Sequence, residues 1–176
     1  MRYGASAWAT VVLLAAASAS AAERSVTITA VTAQGIGAPV GTVTLSTTDA
    51  GTTFLLALQG LPPGEHGFHI HAKGDCGPGP DSEGRVVAAG AAGGHWDPAN
   101  TGRHAGPEGD GHLGDLPAIT VAADGTASGT LSAPRIRDAA ALGGHALMIH
   151  SGGDNHSDHP QPLGGGGARL ACGVID

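Results

Sequence analysis

The sequence predicts an all-β fold, a sandwich or barrel of short antiparallel strands. Polar and apolar residues alternate in several short segments, as they do in half-buried strands. Turn signals separate these segments, and Asp124-Gly125 is a strong two-residue hairpin signal. No segment after residue 22 keeps a long helical apolar period. Together these features favour strands throughout that part of the chain.

The predicted strands form a scaffold around two long loops. The strand pattern occurs at residues 26–31, 40–45, 52–58, 68–71, 119–121, 126–131, 145–150 and 169–175. Residues 73–116 and 151–168 lack this pattern and are rich in Gly, Pro, Asp and His. Long loops in a compact domain are usually functional or disordered. We therefore expect the loops to carry the site and the strands to support it.

Residues 1–22 have the features of a secretory signal peptide. Arg2 gives a positive start, residues 8–17 are apolar, and small residues precede position 23. The apolar run is short of the roughly 20 residues that span a bilayer. We expect an exported domain of residues 23–176, with no membrane anchor after cleavage. The alternative is an uncleaved N-terminal anchor helix.

Two cysteines, Cys76 and Cys172, lie in the exported part. In an oxidising compartment a pair of cysteines most simply forms one disulfide. The bridge would close a long loop and so restrict the unfolded chain. Two unpaired buried thiols are the alternative.

The composition points to metal chemistry. The formal net charge of −7 argues against nucleic acid as a partner. The chain has 10 histidines but only 1 tyrosine and 2 phenylalanines. Histidine is the commonest metal ligand in proteins, so this bias points to a metal site.

The segment GFHIH at residues 67–71 is the central segment of the chain, because its two histidines predict half of a metal site. Side chains alternate between the faces of a strand, which puts His69 and His71 on one face and Phe68 and Ile70 on the other. We expect the apolar pair to face the core and the imidazoles to face outward together. Two imidazoles on one strand are half of a metal site; two solvated histidines are the alternative.

Three further segments bring candidate ligands: residues 93–98, 104–115 and 148–154. The second of these offers two histidines and a carboxylate, which suits zinc if one more nitrogen joins. Residues 69, 71 and 150 offer three imidazoles, which suits copper on the same condition. His95 has two ring nitrogens and could complete both sets.

The sequence resembles bacterial periplasmic copper/zinc superoxide dismutases. The resemblance lies in GFHIHAKGDC, AAGGHWDP, GRHAGPEGDGHLGDLP, ALMIHSGGDN and PLGGGGARLACGVI, which occur in the family's order. It implies a Greek-key β-barrel or sandwich, immunoglobulin-like, with about eight antiparallel strands and two long functional loops. It also implies a periplasmic enzyme that dismutates superoxide with one copper and one zinc ion per subunit.

The resemblance also implies a role for individual residues. Copper would be held by His69, His71, His95 and His150, and zinc by His95, His104, His112 and Asp115. His95 would bridge the metals and take part in catalysis. Asp154 would link a copper ligand to a zinc ligand, and Arg169 would attract the substrate anion beside the open copper position.

The sequence leaves the roles of several other histidines, a lysine and a tryptophan open. We expect His66, His145, His156 and His159 to be solvated, with the last two as candidates for peripheral metal capture. Lys73 either helps attract superoxide or is simply solvated. Trp96 packs in the loop or in a subunit interface, so a homodimer is open.

Two other functions compete with the dismutase. An exported copper/zinc carrier without dismutase activity is the main alternative. A complete ligand set together with Arg169 argues against it. A hydrolytic zinc enzyme does not fit, because four protein ligands leave no position for water.

Overall fold

Antiparallel strands are the main regular structure between residues 23 and 176. The computed structural model describes Met1 and residues 23–176, so the predicted signal peptide lies outside the described residues apart from Met1. The described part has eleven strands: β1 (Arg24–Thr32), β2 (Gly35–Thr48), β3 (Gly51–Leu58), β4 (Gly64–His66), β5 (Phe68–His71), β6 (Gly79–Pro80), β7 (Val86–Val87), β8 (Ile119–Val121), β9 (Ala127–Ala133), β10 (Ala146–His150) and β11 (Arg169–Val174).

Seven of these strands form one sheet in the order β5-β10-β11-β1-β2-β3-β9. Neighbours in this order are often distant in sequence, as in a Greek key. The two edge strands are preceded in the chain by β4 and β8, which pair with each other. This pairing joins the two edges of the sheet, so the sheet curls into the predicted barrel.

Each of the eight segments with the strand pattern falls on a strand, three of them extending one residue beyond it, and the all-β prediction is confirmed. The sequence prediction missed three short strands, β4, β6 and β7. The last two form a hairpin inside the loop of residues 73–116. Strands of two or three residues are too short for an alternation pattern to show.

The barrel core is aliphatic with two aromatic residues. Phe54 of β3 and Phe68 of β5 are fully buried and meet edge to face, with ring centroids 5.9 Å apart. Ile70, Leu147 and Ile149 are buried in the same cluster. Odd-numbered residues of β5 therefore face away from the core, toward the long loops.

A disulfide joins the first loop to β11. Cys76 and Cys172 are bonded, with Cα atoms 5.7 Å apart and both residues buried, which confirms the predicted pairing. The described residues contain no helix that is long and apolar enough to cross a membrane.

Candidate metal centre

The first long loop, residues 73–116, is tied directly to β5. The amide of Trp96 donates to the carbonyl of Ile70 at 2.8 Å, and the amide of Ile70 donates to Gly114 at 2.8 Å. Isolated bridges place His95 opposite His71, and Asp115 opposite His69. Backbone pairing thus brings loop ligands beside the strand ligands.

His69 and His71 share a face, as predicted, but that face is not solvated. Their exposed fractions are 0% and 1%. The alternative of two solvated histidines is therefore excluded. The loops of residues 73–116 and 151–168 cover this side of β5, and a strand pattern cannot show which loops will fold over it.

Four histidines form one buried group, which we call the four-histidine cluster: His69, His71, His95 and His150. The Nε2 atoms of His71 and His150 lie 3.3 Å apart. The Nδ1 atom of His71 donates to the Gly93 carbonyl at 2.8 Å, and that of His150 donates to the Gly167 carbonyl at 3.2 Å. Two imidazole lone pairs therefore face each other, an arrangement that a cation between them would stabilise.

A second group, the three-histidine–aspartate cluster, lies beside the first: His95, His104, His112 and Asp115. The Oδ1 atom of Asp115 lies 2.9, 3.0 and 3.3 Å from the Nδ1 atoms of His95, His104 and His112. A zinc tetrahedron with bonds of about 2.0–2.1 Å has ligand–ligand edges of about 3.3 Å. The three distances are equal to this edge or up to 0.4 Å shorter, so the donor spacing is close to that of a zinc site.

His95 belongs to both clusters. Its Nδ1 atom faces Asp115, and its Nε2 atom is buried without a hydrogen-bond partner. The Nδ1 atoms of His69 and His104 are also buried and have no such partner. Buried polar atoms without partners are costly, and each of these three atoms points into a cluster. The residues present therefore fit two metal ions, one in each cluster.

Asp154 connects the two clusters through hydrogen bonds to the outer ring nitrogens of two histidines. Its Oδ2 atom accepts from His69 Nε2 at 2.7 Å, and its Oδ1 atom accepts from His104 Nε2 at 2.7 Å. One carboxylate therefore fixes the ring orientation and tautomer of one histidine in each cluster.

Burial keeps the four-histidine cluster neutral. Desolvation lowers the pKa of His71 and His150 well below the ordinary value, and neighbouring imidazoles and Arg169 add to this. Burial also lowers the pKa of His95 to about 4, although Asp115 opposes the shift. Neutral imidazoles have the free lone pairs that metals need.

In the three-histidine–aspartate cluster, the carboxylates and imidazoles shift each other's pKa values in opposite directions. Burial alone would lower the pKa of His104, but the neighbouring carboxylates of Asp115 and Asp154 outweigh it and raise the pKa to about 9. Burial would raise the pKa of Asp115, yet the adjacent imidazoles of His104 and His95 hold that pKa well below its usual range. The carboxylate is therefore ionised and suits a divalent cation.

Arg169 lies at the start of β11, beside the four-histidine cluster. Its guanidinium donates to the carbonyls of Ala89 and Gly93, each at 2.5 Å. It lines an open cavity of 450 Å³ together with Gly94 and Leu163, among others. A fixed cation at a cavity wall can hold a small anion there.

The remaining predicted residues fall in different environments. His66 was expected to be solvated, and this is wrong: it is 3% exposed, with its ring nitrogens 2.7 and 2.8 Å from the carbonyl oxygens of His150 and Pro62. These two acceptors compensate its burial. Both acceptors are backbone atoms, so the burial of His66 could not be predicted from the sequence.

His145 is half-buried rather than solvated. Its ring lies against Trp96 with centroids 4.7 Å apart, and its Nδ1 atom lies 2.9 Å from the Ala72 carbonyl oxygen. Trp96 itself packs against the barrel core. His156 and His159 are exposed, as expected, and so is Lys73. Their suggested roles in metal capture and substrate attraction stay predictions.

Comparison with known proteins agrees with this geometry. The family model described as copper/zinc superoxide dismutase matches residues 39–175. The chain is 58% identical over 167 residues to a protein named superoxide dismutase [Cu-Zn] 2 of Salmonella typhimurium, a match covering 95% of this chain and 96% of the relative.

Solved structures give the same result. A Cu/Zn superoxide dismutase from Brucella abortus aligns with a TM-score of 0.85 and 49% identity, covering 88% of this chain and 100% of that one. The solution structure of the monomeric copper, zinc superoxide dismutase from Salmonella enterica aligns with a TM-score of 0.78 and 56% identity, over 88% and 100% of the two chains.

Proposed function

The chain belongs to the copper/zinc superoxide dismutase family, and on that basis we propose which residues hold each metal and how they serve the reaction. The protein is an oxidoreductase that converts two superoxide anions and two protons into oxygen and hydrogen peroxide. Its cofactors are copper and zinc, and the two buried clusters are compatible with one ion of each.

The two clusters divide the metals by their donor chemistry. The four-histidine cluster offers only imidazole nitrogen, which suits copper, and His69, His71, His95 and His150 are its ligands. The three-histidine–aspartate cluster has the spacing of tetrahedral zinc, with His95, His104, His112 and Asp115 as ligands. The observation that carries this assignment is the set of buried ring nitrogens without partners, all of which point into the clusters.

Arg169 binds the substrate. When bound, copper supplies the one-electron redox couple, and zinc supplies a fixed positive charge. The guanidinium of Arg169 is held by two carbonyls, so its remaining donors are aimed rather than mobile. A superoxide anion in the adjoining cavity accepts hydrogen bonds from these donors. Arg169 thereby orients the substrate beside the four-histidine cluster.

His95 holds the proton. Its Nε2 atom is buried and has no protein partner, while its Nδ1 atom is directed to Asp115. Nε2 is therefore the atom that takes up a proton in one half of the cycle and gives it to the peroxide product in the other. The ring keeps its orientation during this transfer because Asp115 stays on the opposite side.

The attraction of superoxide is local. The whole chain has a formal net charge of −7, which repels an anion at long range. Arg169 and the two metal sites supply positive charge at the cavity, and exposed Lys73 is a further candidate for this role. A carrier without dismutase activity is not favoured, since the named relatives are superoxide dismutases.

The protein acts in the periplasm after removal of residues 1–22. An oxidising compartment agrees with the Cys76–Cys172 disulfide. Each cluster is complete within one chain, and the Salmonella enterica relative is described as monomeric. We therefore take a single chain as the functional unit, and a homodimer as a form that adds no ligand. Sedimentation of the mature protein distinguishes the two.

The assignment is tested by single alanine variants of the mature protein. H69A should lose copper and keep zinc, whereas H112A should lose zinc and keep copper. Both metals are counted, and superoxide consumption is measured on the same samples. H159A is the matched control, because His159 is exposed and belongs to neither cluster. Loss of the same metal in H69A and H112A would overturn the division.

A further inference from the structure

His112 is the proposed zinc ligand whose ring the protein supports least. The ring of His104 donates from Nε2 to Asp154 at 2.7 Å. Within residues 23–176, the Nε2 atom of His112 has no protein partner, and its Nδ1 atom lies 3.3 Å from Asp115. Its side chain is 10% exposed, against 0% for His104. The orientation of His112 therefore depends on its backbone.

Arg135 fixes that backbone. The amide of His112 donates to the Arg103 carbonyl at 2.8 Å. On the other side, Arg135 donates from Nη1 to the His112 carbonyl at 3.1 Å and from Nη2 to the Gly111 carbonyl at 2.8 Å. One guanidinium thus holds two successive carbonyls, which its planar fork of donors allows.

Arg135 is anchored to the end of β9. It lies two residues after Ala133, the last residue of that strand, and the amide of Ile136 donates back to the Ala133 carbonyl at 3.2 Å. Ile136 is buried in the barrel core, and its carbonyl accepts from the Thr52 hydroxyl at 2.9 Å. Arg135 is half-buried, and its guanidinium links the end of β9 to the loop that carries His112.

We propose that Arg135 is a positioning residue of the zinc site, which holds His112 through its backbone in place of a partner on its ring. The inference rests on the proposed zinc ligation by His112. Other histidines of the two clusters are oriented through their second ring nitrogen, which is the usual arrangement. Without Arg135 the His112 segment would lose its link to the barrel, and zinc would dissociate faster.

The test measures zinc release from the fully metallated protein to a chromogenic chelator. R135A should release zinc about 10-fold faster or more, the usual cost of losing an outer partner of a metal ligand. R135K should also release it faster than wild type, because an ammonium group lacks the two fixed donor directions. Copper release and the thermal unfolding of the metal-free protein should stay unchanged.

R103A is the matched control. Arg103 lies in the same loop, and its side chain makes an ion pair with exposed Asp110; the variant removes one positive charge but keeps the backbone acceptor for His112. Its zinc release should match wild type. Wild-type release by both R135A and R135K would overturn the proposal. So would equal loss of both metals from R135A with lower stability of the metal-free protein.

H112A separates this proposal from the ligand assignment. If H112A loses zinc while the Arg135 variants release it normally, only the positioning role is wrong. If H112A keeps zinc as tightly as wild type, the ligand assignment is wrong and the role of Arg135 falls with it.

Discussion

His71 and Arg169 donate to the same backbone acceptor, the carbonyl oxygen of Gly93, over 2.8 and 2.5 Å. A proposed metal ligand and the proposed substrate-binding cation are therefore positioned by one peptide group. Arg169 gains a second anchor in the carbonyl of Ala89, a non-glycine residue with φ of 48°. Such a conformation persists only where the surrounding structure enforces it, and here it aims a carbonyl at the guanidinium.

Replacement of Arg169 should slow the reaction and spare the metals. We expect kcat/KM for superoxide to fall about 10-fold in R169Q and about 100-fold in R169E, within the range known for focused electrostatic attraction. The measurement is superoxide decay after a radiolysis pulse, with copper and zinc counted in the same samples. Wild-type rates should fall with salt, because screening acts over about 8–10 Å. An unchanged rate in R169E would exclude the assigned role.

Asp154 should control the retention of both metals. The carboxylate of Asp154 now accepts hydrogen bonds from two ring N–H groups. In D154N, the amide nitrogen would face one of these N–H groups, donor to donor. We expect affinity for copper and zinc to fall about 10- to 100-fold, as measured by competition with chelators. G164A should act in the same direction, since a Cβ atom there would lie 2.0 Å from Asp154 Oδ1. Loss of only one metal in D154N would contradict the linking role.

The sequence predicted the features that depend on the pattern of side chains. Alternation in residues 67–71 placed Phe68 and Ile70 in the core and both histidines on the other face, and the structure agrees. The grouping of His95 and Asp115 with that strand came from the chemistry of the ligand sets and from the family resemblance. Their backbone pairing to β5 could not be foreseen, because loop residues carry no periodic pattern.

Backbone acceptors account for the features that were missed. The burial of His66 depends on the carbonyls of Pro62 and His150, and Arg135 acts on the carbonyls of Gly111 and His112. Every residue has a carbonyl, so the sequence does not distinguish those that receive such bonds. Only the folded chain shows which of them face a histidine or an arginine.

Removal of the disulfide should destabilise the protein. The bridge spans a sequence separation of 96 residues, for which the chain-entropy model gives up to about 4–5 kcal/mol. C76S/C172S should therefore unfold at a lower denaturant concentration than wild type. Alkylation of native, unreduced protein should label no thiol, and labelling of two thiols would show that the bridge is absent from the native protein.

Export should remove the N-terminal segment. The signal-like pattern of residues 1–22 predicts a mature chain that begins near Glu23. Intact mass of the protein from a periplasmic extract measures this directly. Arg2 is the single charged side chain of the segment, and R2E should reduce export, while the substitution R24E after the predicted cleavage site serves as a control. Recovery of full-length chain from membranes would support an uncleaved anchor instead.

His95 provides the most direct test of how the two clusters are joined. It is the residue that offers a nitrogen to both clusters, so its deprotonated ring should connect the two metal ions. When Cu(II) fills both clusters, the spins should couple antiferromagnetically through the imidazolate, and the ordinary EPR signal should be lost. H95A leaves three imidazoles in one cluster and two imidazoles with Asp115 in the other, so both can still fill. In that variant two independent Cu(II) spectra should appear, whereas H159A should stay coupled like wild type. Independent spectra in wild-type protein would mean that His95 does not bridge, because no other described residue is shared by these two clusters.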